Sequence, residues 1–392
     1  MRHFACLPDD VLAEVFERLP AELSHTSPAR LRAVALGATL YMPGTRPRLA
    51  ADVLRRSAEG VMSVVLCLED AVADGDLPAA EANVVAQVVE LAAVSTRDDA
   101  PMVFVRVRTP QQVGALVARL GPAVGRLAGF VLPKFTAVSG PPFLAAVGAA
   151  EARAGVPLDV MPVLESAEIM YTETRRTALR DVRALLERHR ARVLAVRLGA
   201  ADLSGLYGLR RTRGVSVYDV GVLRDVIADV VNVLGRADGS GFVIAGPVWE
   251  HYAAAERLFK PLLRATPFEG DQGGRRLRED LLTADHDELL REVVLDRANG
   301  LTGKTVIHPS HIAPVHSLMV VSHEEHQDAL AIAASTGGGA SGSASGTRMN
   351  EAGPHRAWAV QLLERATVFG VAREGHGTVD VLSALTRQAR GG

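Results

Sequence analysis

A closed (β/α)8 barrel is the fold that this 392-residue chain predicts, and three observations predict it. Short apolar runs of β type alternate with Ala-, Leu- and Arg-rich stretches of helical periodicity. The runs number eight, and strict alternation at that count favours a closed parallel barrel over an open sheet. Nearly every run ends in a charged residue, and the C-terminal strand ends are where such a barrel collects its chemistry.

In chain order, residues 1–33 read as a helical extension, because Asp9 and Asp10 precede a segment, Val11 to Phe16, whose apolar positions recur at helical spacing. Strands are expected at Leu40–Pro43, Ser63–Leu68, Met102–Val107, Phe130–Pro133, Val160–Leu164, Val193–Leu198, Phe242–Ala245 and Thr305–His308. These place the barrel domain at 34–335. The Gly/Ser run 337–346 reads as a flexible hinge, and 336–392 as that hinge followed by a C-terminal helical lid.

Composition narrows the function classes. With 48% hydrophobic residues the chain can bury a large core. A net charge of −2 and a pI near 6.6 lack the basic excess of proteins that bind nucleic acid or membrane surfaces, so neither partner is expected. Two cysteines, Cys6 and Cys67, do not make a disulfide framework and suggest a reducing compartment. No leader and no apolar run long enough to span a bilayer is evident, so a cytoplasmic protein is expected. Only three lysines occur, at 134, 260 and 304, so a role that needs lysine is worth seeking there.

The strand ends offer Arg46, Glu69-Asp70, Arg106 with Arg108, Lys134, Glu165, Asp202, Trp249-Glu250 and His308. Glu165 and Asp202 stand out, each closing an apolar run and lying 37 residues apart, about one strand–helix–strand unit. Two carboxylates at neighbouring strand ends suit a hard cation.

The series LYMPGTRPRL, CLEDAV, VRVR, LPK, PVLES, LGAADL and GLTGKTVIHPSHI, over residues 37–316, resembles the citrate lyase β-subunit-like family, with its malyl-CoA and citramalyl-CoA lyases. A weaker echo follows at 348–355. The N-terminal extension and overall length resemble a branch associated with tellurium-resistance and stress gene clusters. The resemblance implies a Mg²⁺-dependent carbon–carbon lyase or aldolase on a TIM barrel, a small 2-oxo acid or acyl-CoA as substrate, and a homo-oligomer, usually a trimer.

Residue by residue, the resemblance makes Glu165 and Asp202 the metal ligands, with helix capping as the alternative reading of each. Glu69 and Asp70 match the acidic pair that holds metal-bound water and substrate. Arg106 matches the arginine that binds a carboxylate or enolate oxygen, a task that suits a fixed guanidinium fork. Arg46 matches a contact to the acid, against a solvated loop charge as the alternative. Arg108 stands where the family usually has Asn, a departure that could alter specificity. Lys134 is a substrate or carboxylate contact. Glu351 aligns with a lid aspartate that transfers protons, often from a neighbouring subunit.

Three other signals are weaker. Gly300 to Thr305 lacks the first glycine of a P-loop and leads into a strand, so a nucleotide site is rejected. His308 with His311, and His323 with His326, have zinc-compatible spacing but no cysteine partner. Arg210, Arg211 and Arg213 read more readily as a solvated loop than as an anion grip. Two rival functions stay open: a Schiff-base aldolase using Lys134, and a catalytically altered metabolite-binding protein in a stress-response pathway.

Overall fold

The structure is a computed structural model, described for residues 1–252, 286–335, 337 and 339–391. Its centre is a barrel of eight parallel strands: β1 Ala38–Pro43, β2 Ser63–Cys67, β3 Met102–Arg106, β4 Leu127–Leu132, β5 Asp159–Leu164, β6 Val196–Leu198, β7 Ile244–Ala245 and β8 Lys304–Val306. Neighbours pair in chain order from β1 to β7, and β8 returns to β1 with Ala38 opposite Lys304. Gly246 pairs with Lys304 and closes the ring. All eight expected strands are present, the last three shorter than their apolar runs.

Period-two alternation sends one residue set inward. On β1 that set contains Thr39, whose hydroxyl accepts from the Ser63 hydroxyl of β2 at 3.0 Å, and Tyr41. The opposite set packs against the outer helices, which turn one apolar face to the sheet. Helix Pro110–Leu120 shows the local logic: Thr109 caps it by accepting from Gln112 N, Pro110 opens it, and Val113, Leu116, Val117 and Leu120 form its buried stripe.

The ends of the chain differ from expectation. Residues 1–33 are not a helical arm: helix Asp9–Val15 leads into strand Phe16–Arg18, which pairs with Val371–Ala372, and helix Ala29–Ala35 follows. Phe4, Leu12, Val15 and Phe16 join the main core, so apolar residues read as one amphipathic helix serve two elements. The Gly/Ser run is likewise not all hinge. Ala340–Gly342 pairs with Met349–Glu351 as a hairpin, and Ser345 and Thr347 donate to Glu324 on helix His323–Ala334. Composition missed these partners because they come from another helix. Helix Asp74–Val94 is long and apolar enough by composition to cross a membrane, contrary to the sequence reading. Its Ala80, Val84, Val88 and Leu91 are buried against the barrel, while its other residues are half-buried or exposed.

Candidate active site at the strand ends

The mouth of the barrel brings together Glu69, Asp70, Arg106, Lys134, Glu165 and Asp202. Arg106, the last residue of β3, points its Nη2 at three carboxylates: Glu69 at 2.7 Å, Glu165 at 2.9 Å and Asp70 at 3.3 Å. Among the described residues its buried Nε has no hydrogen-bond partner.

Glu165 follows β5 immediately, its side chain 1% exposed. One oxygen accepts from Arg106 and, at 2.9 Å, from the backbone N–H of Lys134. That second bond depends on Lys134 adopting φ 46, a left-handed conformation that a lysine holds only where its surroundings impose it. The other oxygen faces Gly199. A Cβ built there would lie 2.1 Å from Glu165 Oε2, so the glycine of LGAADL is what gives the carboxylate room.

Asp202 lies in the first turn of helix Ala200–Gly205, about one-third exposed, with Lys134 Nζ 3.9 Å from its carboxylate. The same ammonium contacts Glu69 at 2.5 Å and Asp70 at 3.4 Å. Four carboxylates therefore face two cations, a formal excess of two negative charges. The excess shows in Glu165, whose carboxyl burial pushes up to about 7; Arg106 pulls it down and the charge of Asp202 adds to the rise. Burial also raises Glu69, against the pull of Arg106 and Lys134. Burial works against the Lys134 ammonium too, but Glu69, Asp70 and Asp202 outweigh it and hold the proton more firmly than in free lysine.

The donor set fits a hard dication. Mg²⁺ takes a few carboxylate oxygens, keeps waters and neutralises two charges, which is the local excess. Among the described residues no group of three His, Cys, Asp or Glu side chains is arranged to hold a metal, so Glu165 and Asp202 would supply a two-carboxylate anchor with open positions.

Other expected residues lie elsewhere. Arg46 is at the mouth, but its guanidinium pairs with Asp52 at 2.9 Å and is 47% exposed. Arg108 turns behind the cluster: it donates to Leu68 O at 2.8 Å, to Glu69 O and Val72 O, and pairs with Asp74, thereby holding the loop that presents Glu69 and Asp70. Glu351 opens helix Ala352–Phe369, whose Trp358, Leu362 and Arg365 share a cleft with Val34 and Gly300–Thr302, at the barrel's opposite end. Arg211 is a correction. Far from solvated, its side chain is 3% exposed and pairs with Glu292 at 2.8 Å. Lys304 is fully buried between Glu292 and Asp296.

The sequence reading passed over Gly199, Tyr41 and Arg197. A charged residue inside the apolar run Val196–Leu198 was the available signal for Arg197.

A model of the family described as C–C bond lyase of the TIM-barrel fold matches residues 30–371. Among solved structures, CitE of Mycobacterium tuberculosis, in complex with magnesium, acetoacetate and coenzyme A, is 22% identical, with 85% of this chain and 99% of that one covered and a TM-score of 0.53. A citrate lyase of Burkholderia xenovorans LB400 is 16% identical, with 89% and 96% covered and a TM-score of 0.58. At these identities the structural likeness speaks for the fold. The curated proteins contain no match.

Proposed function

The chain belongs to the carbon–carbon bond lyases of the TIM-barrel fold, and on that premise we propose that it is a Mg²⁺-dependent lyase or aldolase that cleaves or forms a bond next to the carbonyl of a 2-oxo acid or acyl-CoA. The observation that carries this reading is the unbalanced cluster at the mouth, where four carboxylates, buried Glu165 and part-exposed Asp202 among them, exceed the charge of Arg106 and Lys134 by two.

Glu165 and Asp202 would hold the ion, which when bound supplies Lewis-acid polarisation of the substrate's oxygens. Arg106 binds the carboxylate or the oxygen that becomes an enolate, and its fixed charge lowers the barrier because it is in place before charge develops. Glu69 and Asp70 orient water and substrate, Arg108 fixes their loop, and Arg46 guards the rim. Proton exchange with the substrate hydroxyl is assigned to Glu351 of a neighbouring subunit in a homo-oligomer, since within one chain its helix packs at the far end of the barrel. The Schiff-base reading is disfavoured: such chemistry needs a neutral amine, whereas three carboxylates keep Lys134 protonated.

The test is product release. Malyl-CoA, citramalyl-CoA and oxaloacetate are incubated with the protein and Mg²⁺, and free glyoxylate, pyruvate or acetyl fragments are measured. Cleavage that EDTA abolishes and borohydride does not trap is expected. EDTA-insensitive cleavage trapped by borohydride would contradict the assignment and restore Lys134 as nucleophile.

A further inference from the structure

Beneath the acidic cluster the barrel interior is not apolar. Arg197 of β6 is 1% exposed and points inward, donating to Thr39 of β1 at 3.2 Å and Thr305 of β8 at 2.5 Å. Among the described residues its Nε has no hydrogen-bond partner and no carboxylate pairs with it. An uncompensated buried guanidinium is expensive, and packing alone gives no reason to keep one. What it does contact is Tyr41: the guanidinium carbon lies 5.5 Å from the centre of that ring.

Tyr41 lies two residues beyond Thr39 on the same inward face of β1, one layer below the row of Pro43, Cys67 and Arg106. Its strand neighbours Val65 and Phe104 are fully buried, yet Tyr41 is partly exposed. The groups whose charge acts on its phenol include Arg106 and Glu165 of the mouth, which sets the phenol beneath the acidic cluster. No hydrogen bond among the described residues uses its hydroxyl.

We infer that Tyr41 is a further catalytic residue, the proton donor to the enolate carbon, and that Arg197 positions it and stabilises its phenolate. This rests on the lyase reading above. When the carbon–carbon bond breaks, its electron pair stays on one fragment as an enolate, and the hydroxyl proton of the other fragment passes to Glu351. The Tyr41 O–H then breaks as the new C–H forms. The phenolate so produced recovers a proton from Glu351 through water, so no other reactant is consumed. The groups facing Tyr41 are Arg197 from β6, Arg106 from β3, Cys67 from β2 and Glu165 beyond β5. Burial raises the phenol above its ordinary range, keeping it protonated as a donor must be, while Arg197 and Arg106 oppose that rise and ease loss of the proton.

The test is exchange of the methyl protons of pyruvate and of acetyl-CoA with D₂O, followed by NMR with Mg²⁺ present, alongside thermal stabilisation by Mg²⁺ and pyruvate. Tyr41→Phe keeps the ring and is expected to slow exchange at least about 100-fold with the thermal stabilisation intact. Arg197→Met leaves the Thr39 and Thr305 hydroxyls without their donor and is expected to lower the melting midpoint, so its role is decided by the pH profile and not by stability. It should also move the pH at which exchange levels off upward by about one unit, and Arg197→Lys should restore part of that shift. Equal exchange in Tyr41→Phe and wild type would overturn the donor role. So would absence of exchange in wild type, and retained Mg²⁺ stabilisation that Glu165→Gln removes would then show that the metal site stands without it. Loss of that stabilisation too would take down the lyase reading itself. Arg197→Met that melts lower with an unmoved pH profile would make Arg197 structural only.

Discussion

Two ion clusters sit within one barrel, and they are built on different terms. Around Lys304 two cations meet two anions: Lys304 pairs with Glu292 at 2.9 Å and Asp296 at 2.7 Å, and Arg211 pairs with Glu292. Tyr218 Oη and Val217 N occupy the remaining carboxylate oxygens at 2.9 and 2.7 Å. Among the described residues its four buried members balance in charge, with the part-exposed Glu250 3.5 Å from Arg211 at the edge, the arrangement in which a buried ion pair can persist. The mouth cluster carries two more anions than cations and keeps Asp202 and Lys134 partly in solvent. Balanced, buried charge reads as architecture, whereas residual charge open to solvent reads as a place for a ligand.

The largest expected effect is at the sealed cluster. Lys304→Met leaves Glu292 and Asp296 without their ammonium and is expected to destabilise the protein by about 3–5 kcal/mol, measured by denaturant unfolding. A loss below 1 kcal/mol would mean that the cluster is not the structural element it resembles.

A smaller effect comes from pH. The Glu165 carboxyl is raised to about 7, above its unfolded value, so protonation favours the folded chain. The contribution is complete below about pH 4.5 and is lost as pH rises through about 7; in the absence of metal, wild type should therefore lose about 1–2 kcal/mol more than Glu165→Gln over that interval. Asp296, raised to about 6 by burial, titrates in the same window in both proteins and cancels from the difference. Equal pH dependence of the two would show that Glu165 bears no excess charge. The smallest effect is at the rim. Arg46→Ala removes an exposed pair with Asp52 and should change stability by less than about 1 kcal/mol and Mg²⁺ stabilisation not at all, which melting curves with and without the ion would show.

How far the sequence could be read follows from the same contrast. The eight strands were legible because buried parallel strands are near-continuous apolar runs, and Glu165, Asp202, Arg106 and Lys134 were legible because each interrupts such a run at its end. What escaped depends on distant partners. Arg211 looks like a loop charge until Glu292, 81 residues later, meets it in the core. Arg108 looks like a site residue until its guanidinium is seen spent on the carbonyls of Leu68, Glu69 and Val72. The Gly/Ser run looks like a linker because its composition does not reveal the hydroxyl bonds to Glu324.

The central claim is that Glu165 and Asp202 form the anchor of a Mg²⁺-dependent site, and its most direct measurement is the melting midpoint of wild type, Glu165→Gln and Asp202→Asn with Mg²⁺ and a 2-oxo acid. A ligand that binds only the folded chain at 100 times its dissociation constant stabilises it by about 2.7 kcal/mol. The account predicts that Mg²⁺ with glyoxylate, pyruvate or oxaloacetate raises the wild-type midpoint and that both variants, folded, show no rise. Variants that respond like wild type would contradict it, and the acidic mouth of this barrel would not be the metal site.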